Sequence, residues 1–215
     1  TAIGWLIGAG FIAAFFSQTL VAPIADRGYA RRVIVAGVAI NIAGLMLMAF
    51  GENLSILMLG RIISGIGIGG SLPAIRRVVI LTDNENLGAN LGRLLSADVF
   101  GFAMGPAISA VLVGPYGLAA PFLVVSATTA ILLAISRTAP VEETTATTNT
   151  PQRFAVDLLT NRVVAGAVVL AAGVFLMIGA FDALWDVVHD DLGTADWIAN
   201  LGITLFAIPL IILGP

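Results

Sequence analysis

Ala22-Pro-Ile-Ala-Asp26-Arg27-Gly-Tyr-Ala-Arg31-Arg32 is the stretch on which the reading of this chain turns. Long apolar runs flank it, Thr1–Val21 before and Val33–Phe50 after. Asp26, Arg27, Arg31 and Arg32 crowd a segment too short to be a domain of its own. A charged reverse turn between two runs of membrane-spanning length belongs at a bilayer surface.

Composition agrees. Of the 215 residues 59% are hydrophobic and 11% charged, and the mean hydropathy is +1.03. So few charges cannot cover the surface of a water-soluble domain of this size, which leaves an all-α, polytopic membrane helix bundle. The absence of cysteine excludes a disulfide framework, thiol catalysis and a cysteine zinc site, and a single histidine excludes a multi-histidine metal cluster. No metal and no cofactor is expected. The formal net charge of −3 provides no broad basic face for nucleic acid.

Working outward from the turn, apolar windows predict seven spans: Thr1–Val21, Val33–Phe50, Leu54–Ile75, Leu91–Val113, Leu118–Ile135, Val163–Leu184 and Trp197–Leu213. Most approach the roughly 20 residues a transmembrane helix needs. They are continuous rather than alternating, and too long for barrel strands. Every cation is an arginine. With Ala22–Arg32 in the cytoplasm, Arg76, Arg77 and Arg93 flank the next inner loop, and Arg137, Arg153 and Arg162 the one after. Glu52, Asp190, Asp191 and Asp196 fall on the other side, so the positive-inside rule holds at each crossing.

The composition changes over 138–161, a Thr- and Pro-rich polar segment that reads as a flexible cytoplasmic linker, with Phe154–Leu159 as a short amphipathic turn on the membrane. The predicted domains are therefore an N-terminal bundle over 1–137, the linker, and two helices of a second bundle over 162–215. An internal echo supports duplication, since aligning Pro23 with Pro215 also aligns Trp5 with Trp197 and Gly10 with Gly202. Duplicated halves are usual in transporters. The apolar signal is already under way at Thr1, and another run ends at Gly214-Pro215, so both ends are expected to be cut.

The turn resembles the loop between helices two and three of the major facilitator superfamily, Gly-x-Leu-Ala-Asp-Arg-x-Gly-Arg-Arg. Ile24, Ala25, Asp26, Arg27, Arg31 and Arg32 fit it; Ala22, Tyr29 and Ala30 depart from it, and Gly28 is displaced. The resemblance implies helices two to eight of a twelve-helix fold. It also implies a gating role for Asp26, Arg27, Arg31 and Arg32, with Asp26 capping a helix of the other half and the arginines in a charge network that steadies the outward-facing state. The alternative is that these are plain topology residues, which explains the arginines but not Asp26.

Arg61 lies about two turns inside its span, where a charge is costly. Gly65 and Gly69 follow at four-residue steps on the same face, which suits close approach of another helix. Arg61-Ile-Ile-Ser-Gly-Ile-Gly67 resembles the family's helix-four motif, whose arginine is implicated in proton coupling, with Ser64 in place of the usual Gln. Snorkelling to the outer surface is the competing account. Ala97, Gly101, Gly105 and Ser109 form a small-residue stripe that Pro106 bends. Gly101-Phe-Ala-Met-Gly105-Pro106 resembles the helix-five motif of the family's antiporters, which implies packing and bending.

Asp98, near the basic end of the same span, is either a proton carrier with a raised pKa or a structural partner of Arg76, Arg77 or Arg93. Asp182, Asp186 and Asp190 recur at four-residue steps; Asp182 is the most intramembrane and a candidate for cation or proton binding, against a solvated outer rim. The function implied is a monomeric, multi-pass transporter of the cell membrane exporting small amphipathic compounds in exchange for protons by alternating access. An uncoupled facilitator and a non-transporting sensor or scaffold are the alternatives. The chain has neither His-Glu-x-x-His nor a phosphate-binding Gly-Lys-Ser/Thr loop, so an enzyme or a nucleotide-driven pump is not expected.

Overall fold

The computed structural model describes residues 2–82, 85–136 and 160–195, together with isolated positions after 195; the side chains of a few helical residues, Asp182 among them, lie outside the description. The elements are α1 (Ala2–Ile24), α2 (Ala30–Ala49), α3 (Leu54–Thr82), α4 (Leu87–Tyr116), α5 (Ala119–Ser136) and α6 (Arg162–Asp191). Among the described residues, five continuous helical stretches are long and apolar enough to cross a membrane, and the first, Gly4–Ala49, contains both α1 and α2. Helices are the expected solution, because in hydrocarbon the backbone must satisfy its own hydrogen bonds. The linker over 138–161, with Phe154–Leu159, lies mainly outside the described residues, as does most of the seventh expected span, Trp197–Leu213.

The charged turn is tighter than the sequence suggests. Ala22-Pro-Ile finishes α1, Arg31 and Arg32 open α2, and only 25–29 join them. Gly28 makes the reversal at φ 89°, a conformation that side chains disfavour. The glycine that looked displaced in the motif is the one the turn requires. Other boundaries have equally local causes. The Asn53 side chain accepts from Ile56 N at 2.9 Å and caps α3, and the Asn161 side chain accepts from Val163 N at 2.9 Å and caps α6. Gly117, at φ 82°, donates to Val113 O at 2.9 Å and ends α4.

Three helices outrun their expected spans by a full turn or more. α3 continues through Pro73 to Thr82, so Arg76 and Arg77 stand on a helix rather than beside a loop. α4 begins at Leu87, and α6 runs through its acidic residues to Asp191. Apolar windows find the lipid-immersed length; helical hydrogen bonding continues past it.

α3 is the hub, with α1 packed along one face and α2 along the other, while α1 and α2 barely meet. Gly10 and Ala14 of α1 lie against Gly65 and Gly69, so α1 and α3 run parallel; Gly37 and Gly44 of α2 lie against Gly67 and Gly60, so α2 is antiparallel. α5 packs on α2, and α4 on α5 and α3. The buried residues of α3 are all small: Gly60, Ser64, Gly65, Gly67, Gly69, Gly70, Ser71 and Ala74. Large side chains such as Leu59, Ile66, Phe11 and Phe15 point outward. Small inside and large outside is the arrangement of helices that associate in lipid, where burial of apolar groups gives no drive and close backbone approach does. α6 lies apart from this packing, with Val163, Leu170 and Leu176 exposed.

Candidate functional site: a basic end tied to the α3 hub and an arginine within it

At one end of the bundle a small core of Ala25, Ala30, Val33 and Ala74 packs the α1–α2 junction onto α3. Beside it, Arg77 Nε donates to Asp26 Oδ1 at 2.9 Å, and Arg77 Nη2 donates to the Asp26 carbonyl oxygen at 3.3 Å. Arg77 is the more enclosed partner, its side chain 14% exposed against 45% for Asp26. The junction is therefore latched to the end of α3 through both its carboxylate and its backbone.

Arg76, the next residue back, turns to the other neighbour. Its Nη2 lies 3.7 Å from Asp98 Oδ2 of α4, with both side chains well exposed. Of the partners open to Asp98, Arg76 is the one within reach; Arg77 is engaged by Asp26, and Arg93 donates to Asn90 Oδ1 at 3.4 Å. Successive residues of one helix, about 100° apart, thus hold two neighbouring elements. The sequence offers Arg77 as a topology residue or a partner for Asp98, whereas the partner it takes, Asp26, lies 51 positions away. Arg27, Arg31 and Arg32 are exposed around the junction, and the Arg32 guanidinium sits 5.3 Å from the centre of the Tyr29 ring.

About 10 Å into α3 from its other end, Arg61 is half-buried. Its side chain lies against α1. A β-carbon on Gly10 would come within 2.7 Å of Arg61 Nε, 3.0 Å of Cγ and 3.1 Å of Cδ. The stem thus crosses onto α1. Gly10, which the sequence marked only through the internal echo, makes that room.

Gly65 and Gly69 continue the face. A β-carbon on Gly65 would meet the Gly10 carbonyl, and one on Gly69 would meet the Ala14 carbonyl oxygen and stand 2.7 Å from Ala14 Cα. Ser17 OH, one turn on, donates to Ile66 O at 2.7 Å. On the opposite face Ser64 OH donates to Asn41 Oδ1 of α2 at 2.6 Å. Gly101 and Gly105 of α4 are exposed, with nothing within 4 Å of a built β-carbon among the described residues, and Pro106 lies inside α4 without ending it. Asp182 is placed in α6; the surroundings of its side chain lie outside the described residues. The structure brings together Asp26 with Arg77, Asp98 with Arg76, and Arg61 with the Gly10–Gly65 contact. It does not bring Arg61 to the basic end.

The parallel pair α1 and α3 is thus tied at one end through Asp26 and Arg77, with Arg61 laid between the two helices nearer the other end. The family model for the Major Facilitator Superfamily matches residues 1–215. The chain belongs to the major facilitator superfamily. No curated protein matches it. Membership makes this a multi-pass membrane transporter chain, of a family that moves small molecules across the bilayer and not one of enzymes.

Proposed function

We propose that this major facilitator protein is a proton-coupled exporter of small amphipathic compounds working by alternating access. The observation that carries the proposal is Arg61, a charged side chain at intramembrane depth, half-buried and laid across Gly10 between two parallel helices. A cation held there is costly unless it serves a purpose, and small residues on both helices make the space for it. In this reading Arg61 senses protonation of a nearby carboxyl or arrival of substrate, and the change in its contacts shifts α1 against α3.

The basic end faces the cytoplasm, as the arginine distribution favours, and its two latches set the stability of one state. Asp26–Arg77 holds the α1–α2 junction to α3, and Arg76–Asp98 holds α3 to α4. Arg27, Arg31 and Arg32 extend the charge network toward whatever packs on that end. Bundles over 1–137 and 162–215, with the segment 138–161 between them as a cytoplasmic linker, would rock about a central site, with Gly101, Gly105 and Pro106 giving α4 its bending freedom and a smooth face for the opposite bundle. Asp182 is the proposed acidic participant from the second bundle. The protein is proposed to act as a monomer in the cell membrane.

The test uses the full-length protein in proteoliposomes with an imposed pH gradient and a lumenal pH dye. Lipophilic cations and neutral amphipathic compounds are added in turn. Proton movement triggered by a compound, and absent without one, supports the exchange. Substrate flux that ignores the gradient would mark an uncoupled facilitator, and movement of no compound at all would favour a sensor or scaffold.

A further inference from the structure

Because α1 and α2 diverge over α3, they leave a groove between them of about 410 Å³. Its walls are Val21, Val33, Ala36, Ile40, Ile66 and Gly70, and its mouth is formed by Tyr29 and Arg32 at the basic end. At the inner end the Ser17 hydroxyl is spent on Ile66 O at 2.7 Å, so it makes no polar demand on an occupant. From Arg32 to Ile40 the groove runs about 12 Å along α2 by the helical rise. One leaflet of the hydrocarbon core is about 15 Å deep. The groove therefore follows a single leaflet from its surface almost to the midplane.

Its charge is one-sided. Arg32 is exposed at the mouth, with its guanidinium over the Tyr29 ring and Arg27 and Arg31 close by in the chain. The neighbouring acid, Asp26, is already held by Arg77 at 2.9 Å. An apolar channel of one-leaflet depth with a cation at its surface end complements an anionic amphiphile. We propose that the groove binds an anionic glycerophospholipid, with an acyl chain between α1 and α2 and its phosphate at Arg32. The lipid fills the space between two helices that barely meet each other directly, and so braces the junction on which the Asp26–Arg77 latch depends. The site follows from the groove and its mouth, and it stands whether or not transport is proton-coupled.

The test uses Tyr29→Trp, which keeps an aromatic ring under Arg32 and puts a fluorescent indole at the mouth. Fluorescence of the full-length variant is measured in phosphatidylcholine vesicles containing phosphatidylglycerol, with bromine on the acyl chains of one lipid or the other. The signal of the protein with Tyr29 intact is subtracted. Brominated phosphatidylglycerol should quench the introduced indole with about fivefold preference over brominated phosphatidylcholine, the scale of one arginine near an anionic lipid. Adding Arg32→Ala should abolish the preference, and Arg32→Lys should keep most of it. Ala36→Phe, at an exposed position on the groove wall, should lower quenching by both lipids. Equal quenching by the two lipids, or a preference that survives Arg32→Ala, overturns the proposal. So does an indole that no brominated lipid reaches, which would show that protein covers the groove.

Discussion

Asp26 and Arg77 show how much one side chain can carry in a bundle whose core is nearly all small residues. Arg77 makes two hydrogen bonds in different directions, Nε to the carboxylate and Nη2 to the carbonyl of the same residue. Lysine has one compact ammonium and cannot reproduce that fork. Arg77→Lys is therefore expected to behave nearly as Arg77→Ala. With Asp26 45% exposed, solvent screens the pair, and either change should cost about 0.5–1 kcal/mol in a thermal unfolding measurement in detergent. A double-mutant cycle with Asp26→Asn checks it; additive effects would mean that the two residues are not coupled. Gly10 makes a sharper residue-scale prediction. Gly10→Ala puts a methyl group where Arg61 Nε and Cγ now lie. Since the arginine stem can yield more easily than backbone, this change should disturb coupling more than stability. Transport assays and unfolding midpoints on the same variant separate the two effects.

At the scale of the element, α3 carries two small-residue stripes. Gly65 and Gly69 face α1; Gly60, Ser64, Gly67 and Ser71 face α2. On Gly67 a β-carbon would run into the Asn41 nitrogen and the Gly37 carbonyl of α2, and both are backbone that cannot move aside. Gly67→Ala and Gly69→Ala should each destabilise by about 1–3 kcal/mol through overpacking. Gly101→Ala and Gly105→Ala should leave unfolding nearly unchanged, within about 0.5 kcal/mol, since no described neighbour stands within 4 Å. An effect on transport but not on unfolding would place those two glycines at a surface used only in the working cycle. The α1-facing stripe was legible because Arg61, Gly65 and Gly69 recur at four-residue steps beside a conspicuous charge. The α2-facing stripe has equally regular spacing, but no charge draws attention to it. Its partners, Gly37, Asn41 and Gly44, become visible only once α2 is known to run antiparallel. For the same reason the helix class, the span order and the turn were legible, whereas the Asp26–Arg77 pairing was not. Local pattern sets elements, and contacts some 50 residues apart depend on how the helices lie.

For the molecule as a whole, orientation is the first matter that experiment can settle. These 215 residues contain no cysteine, so in a full-length background cleared of any other thiol a single introduced cysteine can report each end. Glu52→Cys, in the short α2–α3 connection, should react with a membrane-impermeant maleimide on intact cells; Glu85→Cys, before α4, should react only after permeabilisation. The reverse pattern would invert the proposed topology. Arg61, in the proposed mechanism, couples two fluxes and is more than a packing residue. The most direct measurement compares wild-type and Arg61→Ala full-length protein in proteoliposomes, using one transported compound in two assays. One follows pH-gradient-driven accumulation, and the other follows counterflow exchange without a gradient. Arg61→Ala should lower gradient-driven accumulation by about tenfold or more, the scale of a coupling free energy, while counterflow persists. Equal loss of both activities would reduce Arg61 to a structural residue, and retention of both would rule out a coupling role for it.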